Sequence, residues 1–364
     1  MRLVGIMSNY IEYKNKIVFH PGYYIKEIIE DYGLTQEDFA KRLDTTAKNI
    51  SLIIRGEQSI SIDIATKLSR MLGTSIIYWL NLQNIFDISL AELNSEKSLA
   101  EEKKILEILN YNYFCKYYDL PKFDGTAENK ISLLRKFLNI SSLSVLAKKN
   151  LAVSFRSESS GISDEDVIKA NAMVQIATNQ ALSEDSNKFN KHKFEASVDE
   201  VLKNTCNHTS FYKIAKKAFS DAGVKLVAVP NISNSKINGA TKKIGDTIML
   251  MINNRESYGD SIWFTMFHEI GHIMEGDFGI SLKSDRGDKE RIADKYAREK
   301  LIPDEKYEKF IYKKDYSKRS IKEFAADINR DPGIVVGRLI HDKIIDDNLE
   351  DINSLRKKYG LFPK

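Results

Sequence analysis

The sequence predicts a multidomain chain in which an all-α unit precedes an α+β unit with a small β-sheet. Three observations predict it. Five short segments between residues 20 and 87 carry apolar residues at three- and four-residue spacing, as amphipathic helices do. After Gly223 the pattern changes to short β-branched runs parted by turn residues: VKLVAVP, KINGATKKI and DTIMLMIN. The length, 364 residues, exceeds one ordinary domain of about 100–200 residues.

Taken in order, YYIKEIIEDYG, TQEDFAKRLDT, TAKNISLIIRG, SIDIATKLSRMLG and SIIYWLNLQNIFD are each fenced by Gly, Thr or Ser, the residues that cap helices. They make residues 18–87 the first domain. Within it LTQEDFAKRLDTTAKNISLIIRG has the form of a helix-turn-helix. Thr35 and Thr46 stand as N-caps, Ala40 is small where two helices cross, and Ile50 and Ile53 face inward. The second helix of the pair, starting near Ala47, is the one expected to enter a major groove. Its outward positions are Lys48, Asn49, Ser51 and Arg55, types that bond base edges or phosphates, and Gln36 opens the preceding helix. Charge argues the other way. Residues 20–87 hold 7 Lys+Arg against 9 Asp+Glu, whereas DNA-binding domains carry a basic footprint. A module for protein contacts is the competing reading.

Residues 88–125 read as a connecting helix plus linker, from SEKSLAEEKK to the aromatic patch NYNYFCKYY. The second domain, 126–345, has a helical lead-in over 126–222 and then strands and a motif-bearing helical core over 223–345. Composition is that of a soluble globular protein, 42% hydrophobic and 29% charged. Lys+Arg 55 against Asp+Glu 51 announces no nucleic acid by itself. Cys115 and Cys206, with no CxxC, fit buried free thiols in a reducing cytoplasm. No secretion signal and no long apolar run is present, so a cytoplasmic protein without a membrane partner is expected.

The chemistry concentrates in WFTMFHEIGHIMEG, residues 263–276. Residues four apart on a helix share one face. His268 and His272 therefore present two imidazoles that one zinc ion can bridge, and Glu269 can take a proton from a water on that ion. Gly271 permits close approach of a neighbouring element, while Phe264, Phe267, Ile270 and Ile273 seat the helix in the core. A buried helix whose histidines bond carbonyls is the bland alternative. A third ligand is needed. Glu275 lies too far along the axis, and Glu290 in DKERIADKYAREKLIP can reach back from an antiparallel helix, with Ala293 and Ala297 allowing approach. From spacing alone Glu290 competes with a surface carboxylate and with Asp294.

HEIGH followed by ERIADKYA and LIP resembles the ImmA/IrrE family of metallopeptidase-like proteins, whose pattern is HExxH, ExxAxxFA, a short apolar stretch and Pro. The likeness runs over roughly residues 150–345, through INGAT and IMLMINNRESYGDSIWFT to DPGIVVGRLIHD. It implies a zincin-like metallopeptidase fold with Glu290 as third zinc ligand; Tyr296 departs from the usual Phe. His341 in GRLIHD reads as a helix-surface histidine, with a place facing the site as the alternative. HPGYYIKEIIEDYGLTQEDFA with SIDIATKLSRMLGTSIIYWLNLQ resembles the HigA-type antitoxin branch of the Xre helix-turn-helix family.

Together these imply a transcriptional regulator that binds a double-stranded operator as a homodimer. Its zinc metallopeptidase domain is expected to hydrolyse a repressor, a toxin or the chain itself. Manganese or iron suits the same His/His/Glu donors. The alternatives are an antitoxin-like repressor whose metal domain is a non-catalytic sensor, and a peptidase whose front domain binds only protein.

Overall fold

The computed structural model describes residues 6–7, 9–13, 16–122, 125–149, 151, 162–253, 258–282 and 287–359. Parts of the ImmA/IrrE-like stretch, residues 150, 152–161, 254–257 and 283–286, lie outside them. The chain divides into two compact units, Met1–Glu101 and Glu102–Lys364.

The first unit opens with an antiparallel meander not anticipated from sequence: β1 (Ile6–Met7), β2 (Tyr10–Tyr13) and β3 (Lys16–Phe19). Its strands are too short to show a two-residue period. Ile11 of this sheet is buried with Phe86 and Leu93. Helices α1 (Pro21–Asp31), α2 (Gln36–Arg42), α3 (Ala47–Ile54), α4 (Ile62–Leu72) and α5 (Ile76–Leu109) follow. Thr35 and Thr46 cap α2 and α3 as expected, their hydroxyls accepting from Asp38 N–H and Asn49 N–H at 3.1 Å each. The core collects Ile25, Phe39, Leu43, Ile50, Ile53, Leu68 and Trp79, all essentially out of water. Residues 88–109, read as the connecting helix ahead of a linker, are helical and continue α5 without a break; the polarity of SEKSLAEEKK lies on mostly solvated turns of that helix. No helix among the described residues is long and apolar enough to cross a membrane.

In the second unit α6 (Tyr111–Tyr117), α7 (Ala127–Leu138), a 3₁₀ turn (Leu143–Ala147), α8 (Asp164–Leu182), α9 (Lys191–Leu202) and α10 (Phe211–Asp221) precede the sheet. The aromatic patch belongs here. Tyr113 donates to Pro230 O at 2.6 Å, and Phe114 meets Phe137 edge-on. Cys115 is buried, but Cys206 is exposed, because it sits in the open turn after α9 rather than on a core face. Three strands were expected and four form: β4 (Val224–Val229), β5 (Ile237–Ile244), β6 (Thr247–Asn253) and β7 (Gly279–Leu282), in the order β4-β6-β5-β7. β4 runs parallel to β6, and β5 runs antiparallel to β6 and β7. The fourth strand is a four-residue edge, below the length at which alternation is legible.

Helices α11 (Gly259–Glu275), α12 (Asp288–Leu301), α13 (Asp304–Tyr312), α14 (Lys318–Asp327), α15 (Pro332–His341) and α16 (Glu350–Asn353) complete the chain. α11 packs on β5 and β6 with one side and on α12 and α15 with others, so almost all of it is buried. Its seat holds Trp263, Phe267, Ile270 and Ile273 as expected of an apolar helix; Phe264 is only partly buried.

Close backbone contact also orders the first unit. A Cβ on Gly22 would fall 1.8 Å from Ile53 O, so the start of α1 lies directly on the end of α3. Gly22→Ala is expected to destabilise the unit by about 1–3 kcal/mol through overpacking. Urea melts followed by circular dichroism measure it, and an unchanged midpoint would contradict this contact.

Candidate metal centre and nucleic-acid interface

α11 ends where it does because Gly276 adopts the left-handed conformation, φ 69°, that only glycine takes without strain. Asp277 N–H then bonds His272 O at 2.9 Å, and Lys191 Nζ donates to Met274 O at 2.7 Å. This fixed end holds His272 and, one turn earlier, His268. Both are buried, at 1% and 8% exposure.

α12 supplies the third group. A Cβ on Gly271 would sit 3.0 Å from Ala293 Cα and 3.2 Å from Tyr296 Cβ, so the absence of a side chain there and the smallness of Ala293 let the helices touch. That contact carries Glu290, 5% exposed, up to the two imidazoles. His268 Nε2 lies 3.0 Å from Glu290 Oε2, His272 Nε2 lies 3.3 Å from Glu290 Oε1, and the two Nε2 atoms are 3.1 Å apart. Glu275 is exposed.

The remaining nitrogens are also tied. His268 Nδ1 is 2.8 Å from Asp294 Oδ1, and His272 Nδ1 is 3.1 Å from Asp277 Oδ2, whose other oxygen accepts from Lys289 at 2.6 Å. With each Nδ1 set against an aspartate, both Nε2 atoms turn toward Glu290. Asp294, the competitor for third ligand, thus meets the outer face of His268. Its role is to orient that ring. Burial opposes charge on His268, but hydrogen bonds to Asp294 and Glu290 and the neighbouring Glu269 carboxylate outweigh it and push its pKa up to about 10. Burial likewise works against the Glu290 carboxylate, while the bonds from His268 and His272 prevail and pull it down to about 2.

These donors fit a metal ion. Ligands on a tetrahedral zinc at about 2.0–2.1 Å are separated by about 3.3 Å, close to the three edges observed. His268, His272 and Glu290 are the single such group among the described residues. Glu269 is fully buried, and a Cβ on Gly239 would lie 2.6 Å from its Cγ, so the glycine in β5 makes room for this carboxylate. The glycine of INGAT is the sequence signal for this space, legible only with β5 packed against α11.

A cleft of about 430 Å³ opens over the centre, with His268, Glu290 and Asp294 at one wall, Phe264 beside them, and Arg298, Arg338 and His341 farther along. His341 is indeed a surface histidine, 65% exposed, yet it lines this cleft and stacks loosely on Phe264 at 6.4 Å.

The helix-turn-helix residues lie on one exposed edge of the first unit. Gln36 and Lys48 are exposed. Asn49 is engaged on both sides, Nδ2 donating to Thr45 Oγ1 at 3.0 Å and Oδ1 accepting from Gln58 at 2.5 Å. Arg55 grips Glu57 with Nε and Nη2 at 2.8 and 3.0 Å and Ser51 with Nη1 at 3.2 Å. Sequence reasoning missed Glu57 and Gln58, which follow the helix and hold its polar groups.

Residues 25–79 match the family model described as helix-turn-helix. The chain is 32% identical over 85 residues to virulence-associated protein I of Dichelobacter nodosus, a match covering 23% of this chain and 79% of that protein. The chain belongs to the helix-turn-helix family. This helix-turn-helix chain is also 31% identical over 72 residues to the uncharacterised HTH-type transcriptional regulator YddM of Escherichia coli, covering 20% of this chain and 77% of the relative. Among solved structures, an addiction module antidote protein of a HigA family from Coxiella burnetii is 31% identical. It covers 23% of this chain and 91% of its own, with a TM-score of 0.22.

About one divalent metal per chain is expected. His268→Ala and Glu290→Ala should lose it, and Asp294→Ala should weaken it about 10–100-fold by releasing the ring. Metal analysis and competition with a chromophoric chelator read both; full retention in the first two variants refutes the centre.

Proposed function

We propose that the protein is a DNA-binding transcriptional regulator whose second unit is an ImmA/IrrE-like, zincin-type zinc metallopeptidase that hydrolyses a regulatory protein: a repressor, a toxin or the chain itself. The observation that carries it is the triangle of His268, His272 and Glu290 with edges of 3.0–3.3 Å, held on the HExxH helix beside Glu269. Manganese or iron would be held by the same donors.

Bound there, the ion would supply Lewis acidity to a water and to the scissile carbonyl. The chain's own groups do the rest. Asp294 and Asp277 keep both imidazoles in the tautomer that turns Nε2 inward. Glu269, not itself a ligand, takes the proton from the water and delivers it to the leaving amine. The cleft walls of Phe264, Ile334 and Ile340 exclude solvent around the peptide.

The first unit is proposed to bind a double-stranded operator through α3, supported by the family match and by regulators among its relatives. Lys48 and Gln36 reach phosphate or base directly. Asn49, Ser51 and Arg55 present what remains of their hydrogen-bonding capacity beside the partners that hold them. Two copies on two half-sites would share the binding, as a homodimer in the cytoplasm. A second reading, an antitoxin-like repressor with a non-catalytic metal sensor, draws on one observation, the complete burial of Glu269.

One experiment separates the two. The protein is co-expressed with its genomic neighbours, wild type beside Glu269→Gln. Loss of a neighbour's cleavage in the variant, with metal retained, is the expected result; equal cleavage moves catalysis elsewhere, and no cleavage in either leaves the sensor reading standing. For DNA, footprinting on the protein's own promoter at low salt should show a protected site that Lys48→Ala weakens severalfold. Absence of any protection would favour a protein-contact role.

A further inference from the structure

Arg298 stands apart from the other cations of the cleft. Arg356 is locked to Asp260, Nη2 to Oδ2 at 2.7 Å. Arg338 gives Nε to Asp342 at 2.6 Å and lies over the Tyr307 ring. Arg298 has no carboxylate partner among the described residues; its one bond is from Nε to the main-chain oxygen of Asp294 at 3.3 Å. The helix itself offers a partner. Asp294 is four residues earlier, where an acid ordinarily pairs with arginine. That carboxylate is instead turned to His268 at 2.8 Å. The Asp294 carboxylate thus meets the metal-binding ring, and no ion pair joins it to Arg298.

The position of Arg298 gives its charge a purpose. Glu290, Asp294 and Arg298 follow at four-residue steps along one face of α12, and all three line the cleft. Eight residues of helix advance about 12 Å, which an extended peptide covers in three to four residues at about 3.3–3.6 Å each. The same cleft is also lined by the apolar side chains of Leu301, Ile302, Ile334 and Ile340.

We propose that Arg298 is a specificity-determining residue that binds a carboxylate of the peptide occupying this cleft, about three residues from the bond cut, with apolar side chains between. A planar guanidinium takes a carboxylate in two parallel hydrogen bonds, which a carboxamide cannot match. The carboxylate comes either from an acidic side chain or from the peptide's C-terminus. The proposal rests on the peptidase reading of the same cleft for the identity of its ligand.

The test uses the full chain carrying Glu269→Gln, so that nothing is cut, with zinc and again with EDTA. Three probes share the sequence acetyl-Ala-Phe-Leu-Ala-Xaa: Xaa is alanine with a free carboxylate, glutamate with a carboxamide end, or glutamine with a carboxamide end. Binding is read by NMR titration. One or both acidic probes should bind about tenfold more tightly than the neutral one, the gain of one charge-assisted bidentate pair. Which of them gains tells terminal from side-chain carboxylate. The preference should disappear in Arg298→Gln and survive in Arg356→Lys, both checked for native circular dichroism. Equal binding of all three probes, or a preference untouched by Arg298→Gln, overturns the proposal. The zinc comparison reports on the peptidase reading separately: tighter binding with zinc supports the metal centre, while an acid preference that persists in EDTA upholds the Arg298 subsite even if zinc adds nothing.

Discussion

The close contact of α11 and α12 at Gly271 and Ala293 is what the second unit is built around. A side chain at 271 would strike Ala293 Cα and Tyr296 Cβ. Relieving that contact by a few tenths of an ångström would lengthen the edges from Glu290 to the two histidines, now 3.0 and 3.3 Å. Because interiors are close-packed, such a shift cannot be absorbed locally. The buried apolar seat of α11, with Trp263, Phe267 and Ile270 fully out of water, fixes one helix so that the position of the other is decided by that single contact.

Around this contact the charged groups are arranged in opposed layers. Two imidazoles and a carboxylate face inward, and two aspartates face the imidazoles from behind. Burial of so many ionisable groups is costly unless each is paired. Here every histidine nitrogen has a partner within 3.1 Å, and the Lys289 ammonium closes the outer end of the chain at Asp277. Along the cleft the acids Glu290 and Asp294 face the histidines, and Arg298 follows one turn farther on.

Much of this was legible in the sequence, for identifiable reasons. HEIGH lies on one helix, so its geometry follows from helical spacing alone. Thr35 and Thr46 announced helix starts because N-capping is local chemistry. Glu290 needed the fold, since spacing could not separate it from Asp294; both approach His268, on opposite nitrogens. β7 and the N-terminal meander were not legible, being strands of two to four residues whose partners lie elsewhere in the chain. A connecting helix was expected after residue 87, but not that it would run on from the preceding helix as one element, because no glycine there marks a join or its absence. Gly239 carries no mark of its role in the sequence, because Glu269 enters the space a side chain would fill only in the folded chain.

The pairing of charges on the first unit has a consequence for how it holds a polyanion. Of the seven cations in its helical residues 20–87, Lys26, Lys41, Arg55 and Lys67 each have a carboxylate neighbour, and Arg42, Lys48 and Arg70 have none among the described residues. Attraction to a nucleic-acid backbone is mostly the entropy of counterions released, roughly one for each phosphate neutralised. One copy with so few uncommitted cations releases few ions. Its affinity for an operator would then change little with ionic strength and depend on shape and hydrogen bonding, and a second copy would add more than any single lysine.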